Sequence, residues 1–433
     1  MLHRFRSNTL LSGASVYLLS NLVNAAIPFA LLPLLTRVLG PAGYGEVAMF
    51  QTLLAALEAV VGLSVAGAVG RKYYDLPADE AELGRFVGSC LQLVLAAALA
   101  VLGVVLLFSA PLSQWLGLPA PWLPWAVFTS ACAAVTGIRL GLWQVRHQAR
   151  RFGALQIGQG ALNMALSLLL VVVLLQGAGG RIQAQVVAAG LSALLALALL
   201  HRDGLLRLRC WRPDFLREAL AFGLPLVPHF AGLFLLNAVD RLVIHDELGL
   251  AQAGVYMVAV QLGNAMSLVF DALNKAYGPW LFERLKRGDD QDKRLIVRRT
   301  YAWFAALLLG AALACVAGPA LVRLVAGEKF AAAGLVIGWL ALGQAFNGMY
   351  FMVTNYVFYA RRTGSLALAT VGAGLVNVAL LLVLVRHFGL QGAAIAFSLS
   401  MGLRFLLTWC VAHRHCPMPW RRAVLPGAAR AAA

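Results

Sequence analysis

The chain has 433 residues, of which 61% are hydrophobic and only 12% are charged, and its mean hydropathy is +0.79. A composition this apolar excludes an ordinary water-soluble protein and indicates a multi-pass membrane protein. The formal net charge of +17 follows from basic residues that flank membrane spans, so it does not indicate a nucleic-acid partner.

Apolar runs recur along the chain, and each is long enough to cross a hydrocarbon core of roughly 30 Å. They predict an all-α integral membrane fold with about 12 transmembrane helices. The first span is expected to be retained, because its length of about 26 residues exceeds the apolar core of a cleaved signal peptide. The predicted spans are residues 10–36, 43–70, 84–110, 121–145, 153–176, 183–201, 218–244, 253–279, 297–322, 331–359, 364–386 and 391–412.

The charge pattern sets the predicted orientation of these spans. With the N-terminus inside, most Lys and Arg residues fall in the cytoplasmic segments and few fall in the outer links. This is the asymmetry that the positive-inside rule requires. Both termini are therefore predicted to be cytoplasmic.

Two similar turns lie about half a chain apart and indicate an internal duplication. Residues 39–45 read LGPAGYG, and residues 248–256 read LGLAQAGVY. Six spans per half is an even number, so the halves are predicted to be six-helix lobes of the same orientation, related by a pseudo-two-fold axis along the membrane normal. The expected lobes are 1–203 and 218–433, joined by a basic amphipathic cytoplasmic linker at 204–217. Function is expected at the seam between the halves.

Seven charged residues stand out within the predicted spans, because a charge at a helix centre costs roughly 2.5 to 3.5 kcal/mol on the insertion scale. They should therefore face water or one another. Asp271 and Lys275 are spaced for an ion pair within one helix, and Asp240 is expected to pair with a neighbouring cation. Arg404 has no carboxylate nearby on its own helix, which makes it the strongest candidate to bind an anionic ligand. The seven are Glu58, Arg139, Asp240, Arg241, Asp271, Lys275 and Arg404.

Neutral polar residues line one face of several spans at helical spacing. His229 also shares a side of the seventh span with Asp240. Two explanations stay open for these faces: they line a hydrated cavity, or they hold helices together by hydrogen bonds worth about 0.6 to 2 kcal/mol each. The neutral residues are Tyr17, Asn21, Asn24, Gln156, Gln159, Asn163, Ser167, Gln261, Asn264, Ser267, Asn274, Gln344, Asn347, Thr354 and Asn355.

Nothing in the sequence indicates catalysis, a cofactor or a metal. No nucleophile and base motif, phosphate-binding glycine loop or zinc signature is present. Cys410, His413, His415 and Cys416 resemble a metal site only superficially, because they fall where a helix leaves the membrane. The longest outer loop, 110–120, has no ionisable side chain, which disfavours a membrane glycan polymerase or ligase.

The two turns, the Asp240–Arg241 pair, and the Asn377 helix followed by 389–394 together resemble the Wzx-like polysaccharide flippases. These belong to the multidrug/oligosaccharidyl-lipid/polysaccharide (MOP) exporter superfamily. The resemblance implies a bacterial inner-membrane protein that moves undecaprenyl-diphosphate-linked oligosaccharides from the cytoplasmic to the periplasmic leaflet. It implies a cationic central cavity, formed here by Arg404, Lys275, Arg139 and Arg241, with Asn21, Asn24, Gln261, Asn264 and Asn347 as further lining.

The expected mechanism is alternating access, because every hydroxyl of a hydrated sugar would lose its water partners in hydrocarbon. Cationic side chains would hold the diphosphate through charge-assisted hydrogen bonds. Protons or sodium ions are the expected coupling ions, acting through Glu58, Asp240 or Asp271, with His229 as a further coupling or pairing residue. Membrane lipids and a glycan polymerase complex are the other expected partners. The main rival is a cation-coupled multidrug exporter, for which Glu58 would be the only deep acidic residue in the N-terminal lobe.

Overall fold

The computed structural model describes residues 2–75, 79–208, 212–360 and 363–420. Within those ranges no residue lies in a β-strand, which confirms the predicted all-α fold. The helices are α1 (Leu2–Gly62), α2 (Val65–Asp75), α3 (Glu80–Leu107), α4 (Ser109–Leu116), α5 (Trp122–Val145), α6 (Ala149–Ser167), α7 (Gly177–Arg202), α8 (Pro213–Gly223), α9 (Val227–Asn237), α10 (Val239–Leu248), α11 (Leu250–Arg287), α12 (Asp290–Ala326), α13 (Gly334–Tyr359) and α14 (Thr363–His415).

Ten helical stretches of the described chain are long and apolar enough to cross a membrane. The two longest, Leu19–Asp75 and Gly364–His415, each contain two of the predicted spans. Each is divided at a glycine with a positive φ, 65° at Gly40 and 58° at Gly389, a conformation that glycine adopts without a steric penalty. Both glycines lie in the predicted links, while the number of twelve crossings and the lobe symmetry stay predictions.

The seventh predicted span is built from three consecutive helices, α8, α9 and α10. A 3₁₀ turn at Leu224–Leu226 separates the first two, and Pro225 lies in it, where its missing N–H costs no helical hydrogen bond. Pro28 and Pro33, by contrast, lie inside α1 where the backbone keeps helical dihedral angles.

The chain forms two compact units. The first comprises Met1–Phe234 and Leu248–Gly254, and the second comprises Leu235–Glu247 and Val255–Ala433. This division does not test the predicted lobe limits or the separate linker at 204–217, which stay predictions.

The basic segment before α8 and α8 itself are held in place within the first unit by specific contacts. Lys72 Nζ pairs with Glu218 at 2.8 Å and lies 5.3 Å from the centre of the Phe215 ring. Gln92 donates to the Leu208 carbonyl at 2.6 Å. Leu205 is fully buried while Leu208 is 48% exposed, and the backbone of Leu205 and Arg207 lies against Gly84 and Gly88 of α3.

Aromatic side chains fill the core of the second unit near the end of α14. The Trp409 and Trp420 rings meet edge to face with centroids 5.2 Å apart, and Tyr301 of α12 lies 5.9 Å from Trp420. Such pairs are stabilised by the complementary charge of ring edge and ring face. They fasten the residues that follow α14, up to Trp420, against α12.

Candidate functional site

Polar side chains of α1, α5, α6 and α7 line a cavity of about 550 Å³ inside the first unit. The polar lining residues are Asn24, Gln51, Glu58, Thr129, Ser130, Gln156, Gln159, Asn163 and Gln185. Eight of these nine residues carry a carboxamide or hydroxyl group and the ninth is Glu58, and most come from the polar faces that the sequence predicted. Of the predicted site residues, the structure therefore brings together Asn24 and Glu58.

A glycine allows α6 to approach α1 at this cavity. A Cβ atom on Gly160 would lie 2.5 Å from Asn24 Oδ1 and 2.5 Å from the Ile27 side chain. Any larger residue would have to push Asn24 away. Gly160 therefore positions the Asn24 amide at the cavity wall.

Some of the cavity amides bond to each other across helices, and others keep unused hydrogen-bonding atoms. Gln51 donates to Gln185 at 2.8 Å, and Gln156 donates to Asn21 at 3.0 Å. Ser130 Oγ and Gln156 Oε1 are buried without a protein partner. An unsatisfied buried polar atom costs about 1 to 3 kcal/mol. The carboxamides and hydroxyls that line the cavity can both donate to and accept from a ligand rich in hydroxyl groups.

Glu58 supplies the charge of this cavity. Among the described residues that line it, Glu58 alone has an ionisable side chain, and the side chain is exposed. No ion pair joins Glu58 to a cation in the described part of the chain. The expected cationic residues are absent from the described lining of this cavity, so its character is neutral to acidic.

Arg139, an expected substrate ligand, is instead held in an ion pair. Its side chain is 1% exposed and its Nη2 bonds to the Asp203 carboxylate at the end of α7. The guanidinium carbon also lies 4.4 Å from the centre of the Trp143 ring. The charge of Arg139 therefore serves to join α5 to α7 in this structure.

Arg181 was not among the predicted site residues, because the sixth span was expected to begin at residue 183. The structure places it in the first turns of α7, with only 8% of its surface exposed. Its Nη1 donates to Asn163 Oδ1 at 2.7 Å and to Ser167 Oγ at 3.0 Å. Since Asn163 lines the cavity, Arg181 fixes one of the cavity amides. The sequence signal that could have indicated a polar partner here was the spacing of Asn163 and Ser167, which places both side chains on one face of α6.

In the second unit, the polar faces of α11 and α13 pair with each other. Gln344 donates to Asn264 at 3.1 Å, and Asn347 lies 3.4 Å from Ser267. Asn355 donates to Asn274 at 2.7 Å. For these residues the structure favours the second explanation offered by the sequence, hydrogen bonding between helices. Asn264 is still exposed, Gln261 is partly exposed on α11, and Asn347 is buried.

Two carboxylates of the second unit pair with cations close by in sequence. Lys275 and Asp271 form the expected ion pair at 2.6 Å, with side chains 54% and 47% exposed. Asp240 and Arg241 are buried and lie 3.8 Å apart. Arg241 also donates to the Asn237 carbonyl at 2.7 Å. Because α9 ends at Asn237, this bond satisfies a carbonyl that the helix end leaves open.

Arg404 is buried against an aromatic ring. Its guanidinium carbon lies 3.7 Å from the centre of the Tyr350 ring, a cation–π contact. No ion pair with a carboxylate is found for it in the described residues, and its Nε has no hydrogen-bond partner. His229 packs against Phe230, with ring centroids 5.8 Å apart. The described residues contain no group of three or more His, Cys, Asp or Glu side chains arranged to hold a metal ion.

Residues 10–284 match a protein family described as polysaccharide biosynthesis protein. The chain is 26% identical to the Lsg locus putative protein 1 of Haemophilus influenzae over 85% of this chain and 90% of that protein. It is 28% identical to a second membrane protein of the same organism over 84% of this chain and 87% of that protein.

Solved structures show the same fold. An inward-facing multidrug resistance MATE family transporter of the MOP superfamily superposes with a TM-score of 0.68 at 16% identity, covering 92% of this chain and 94% of that one. An outward-facing structure of a MATE family transporter gives a TM-score of 0.58 at 15% identity, covering 93% and 94%.

Proposed function

Since the chain belongs to the polysaccharide biosynthesis protein family, whose Wzx-like members are flippases of the MOP superfamily, we propose that it carries an undecaprenyl-diphosphate-linked oligosaccharide. It is a membrane transporter rather than an enzyme. The proposed direction is from the cytoplasmic to the periplasmic leaflet of a bacterial inner membrane, with both termini in the cytoplasm.

The observation that carries this proposal is the amide-lined cavity of the first unit. Ser130 Oγ and Gln156 Oε1 are buried there without protein partners. Sugar hydroxyls both donate and accept hydrogen bonds. A sugar therefore fits a cavity lined by carboxamides and hydroxyls better than an apolar drug does. The cavity thereby supplies partners that hydrocarbon does not offer.

The diphosphate is proposed to bind cations of the second unit. Lys275 is the most accessible candidate, with 54% of its side chain exposed. Arg404 is the candidate without a carboxylate partner among the described ion pairs, and an anion would have to displace its contact with Tyr350. Charge-assisted bonds from either residue would favour a phosphate oxygen.

Glu58 is the proposed coupling residue. A carboxylate that no cation neutralises can take up a proton or a sodium ion when the cavity opens to one side of the membrane. One charge moved across 100 mV supplies about 2.3 kcal/mol, which is enough to bias a transport cycle. Asp240 and Asp271 are weaker candidates, because each already has a cation within 4.0 Å.

A liposome assay tests the proposal. Purified protein is reconstituted with a short undecaprenyl-diphosphate-linked sugar, and the sugar in each leaflet is measured with an impermeant oxidant. The protein is expected to expose the inner-leaflet sugar, and Lys275→Ala with Arg404→Ala is expected to slow this at least tenfold. No translocation by the unaltered protein would reject the proposal.

A cation-coupled multidrug exporter is the second candidate, because a single carboxylate in a neutral cavity also suits a cationic drug. The two functions separate in one comparison. If the Lys275→Ala and Arg404→Ala changes leave cationic drug resistance intact and abolish glycan translocation, the flippase is supported. The reverse outcome supports the exporter.

A further inference from the structure

A second cavity, of about 850 Å³, lies in the second unit where α14 ends. Its walls come from the first turns of α12, the last turns of α14 and residues 417–420. None of the residues assigned above to glycan, diphosphate or coupling ion lines it. This cavity has two chemically different walls.

One wall is basic. Lys293 and Arg294 of α12 lie on it with a single carboxylate, Asp290, and His413 adds an imidazole from α14. Lys293 lies 3.5 Å from Asp290, but the Asp290 side chain is 82% exposed, and an exposed pair of this kind contributes little. Arg294 is exposed and forms no ion pair with a described carboxylate. This wall therefore carries a net positive charge.

The rest of the lining is mostly apolar and aromatic. It includes Leu406, Trp409, Met418 and Trp420. Trp420 is 8% exposed, and its Nε1 is buried without a hydrogen-bond acceptor in the protein. A tryptophan with an unused N–H is typical of the boundary between headgroups and acyl chains. The candidate span Gly364–His415 also ends here, which places the cavity at the edge of the bilayer.

We propose that this cavity binds an anionic phospholipid. Its phosphate contacts Lys293 and Arg294, and the part of its acyl chain nearest the headgroup contacts Leu406 and Trp409. A soluble anion would have no use for the apolar wall, and a zwitterionic lipid would leave the net positive charge unmatched. The chain continues after Trp420 with Arg421 and Arg422, whose charge does not complement a basic wall. A phosphate oxygen, in contrast, matches the Lys293 and Arg294 cations.

Native mass spectrometry of the full-length protein tests this directly. The protein is incubated with equal amounts of phosphatidylglycerol and phosphatidylethanolamine of the same acyl chains, and the retained lipids are counted. We expect retention of phosphatidylglycerol over phosphatidylethanolamine, and at least a fivefold loss of that retention in Lys293→Gln with Arg294→Gln. The control is Arg150→Gln with Arg151→Gln, the same charge change on exposed residues of the first unit, and it should retain the lipid.

A second variant fills the cavity without changing its charge. Leu406→Trp should also lower phosphatidylglycerol retention, because the larger ring occupies the space of the acyl chain. Equal retention by the Lys293 and Arg294 variant and by the control would overturn the proposal. Displacement of phosphatidylglycerol by an equimolar amount of undecaprenyl phosphate would also overturn it, because the cavity would then belong to the transported lipid.

Discussion

Gly45 lies directly against the Leu250 carbonyl, since a Cβ atom on Gly45 would be 2.0 Å from that oxygen. The reciprocal contact joins Gly254 to the Pro41 carbonyl, at 2.1 Å from the position of an added Cβ. The two similar turns, on which the predicted internal duplication rests, therefore pack backbone against backbone within the first unit. Only residues without a side chain allow such an approach.

Replacing Gly45 by alanine is expected to destabilise the protein. The new methyl group would overlap the Leu250 carbonyl, and overpacking of this kind costs about 1 to 3 kcal/mol. The measurement is the thermal unfolding midpoint in detergent. Gly103→Ala is the matched control, because nothing lies within 4 Å of a Cβ atom there, so its midpoint should not fall. An unchanged midpoint in Gly45→Ala would contradict the packing of the two turns.

Removing Asp203 is expected to destabilise the protein because it leaves the Arg139 cation buried without its partner. Breaking a buried pair from one side costs about 3 to 5 kcal/mol, and the partial exposure of Asp203 favours the lower figure. Combining Asp203→Leu with Arg139→Met should recover most of the lost stability, because no buried charge is then left unpaired. The free energy of unfolding of Asp203→Leu, of Arg139→Met and of the double variant will show this.

The double variant also tests the expectation that Arg139 binds substrate. If the pair is structural, Arg139→Met with Asp203→Leu will translocate glycan at a rate within about twofold of the unaltered protein. Loss of translocation in a double variant with the same unfolding midpoint as the unaltered protein would instead support a role for Arg139 in substrate binding.

The sequence predicts local features of this protein well and distant pairings poorly. Hydropathy and the glycines at the predicted links anticipated the helices and the divisions at Gly40 and Gly389, because those signals are local. The Asp271–Lys275 pair was predictable for the same reason. The Arg139–Asp203 pair joins residues 64 positions apart, so no periodicity on one helix could reveal it.

The polar faces show the same limit. Spacing identified which residues of α6, α11 and α13 lie on one side, but not what that side meets. In the second unit Gln344, Asn347 and Asn355 bond to α11, whereas in the first unit the corresponding kind of residue lines a cavity. The difference depends on how closely the helices approach each other, which the periodicity of a single helix does not show.

Glu58→Gln is expected to abolish the dependence of transport on an imposed proton or sodium gradient. The amide keeps the shape of the side chain but removes its negative charge, so the gradient no longer acts on the cavity. Translocation rates with and without the gradient, measured in the same liposomes, check this. Glu46→Gln is the control, because Glu46 is on the same helix but is not among the described lining of the cavity. A gradient response that persists in Glu58→Gln would assign coupling to another group.

Cys416 provides a pH-dependent test of the position of Lys293, which lines the second cavity. Burial raises the pKa of the Cys416 thiol, and the nearby Lys293 ammonium opposes that rise. Because the thiolate is the reactive form, maleimide labelling should reach half its maximal rate at a higher pH than that of a peptide cysteine. Lys293→Gln should move this midpoint further upward and slow labelling at pH 8 by about two- to fivefold. The measurement needs a variant whose other cysteines are serine, and faster labelling in Lys293→Gln would contradict the proximity.

The most direct test of the central claim combines the cavity with the leaflet assay. Ser130→Ala with Gln156→Leu removes the two unpartnered polar atoms, and translocation of an undecaprenyl-diphosphate-linked sugar should fall at least tenfold while Glu46→Gln keeps the full rate. Full translocation by the Ser130 and Gln156 variant would contradict a glycan site in the first unit.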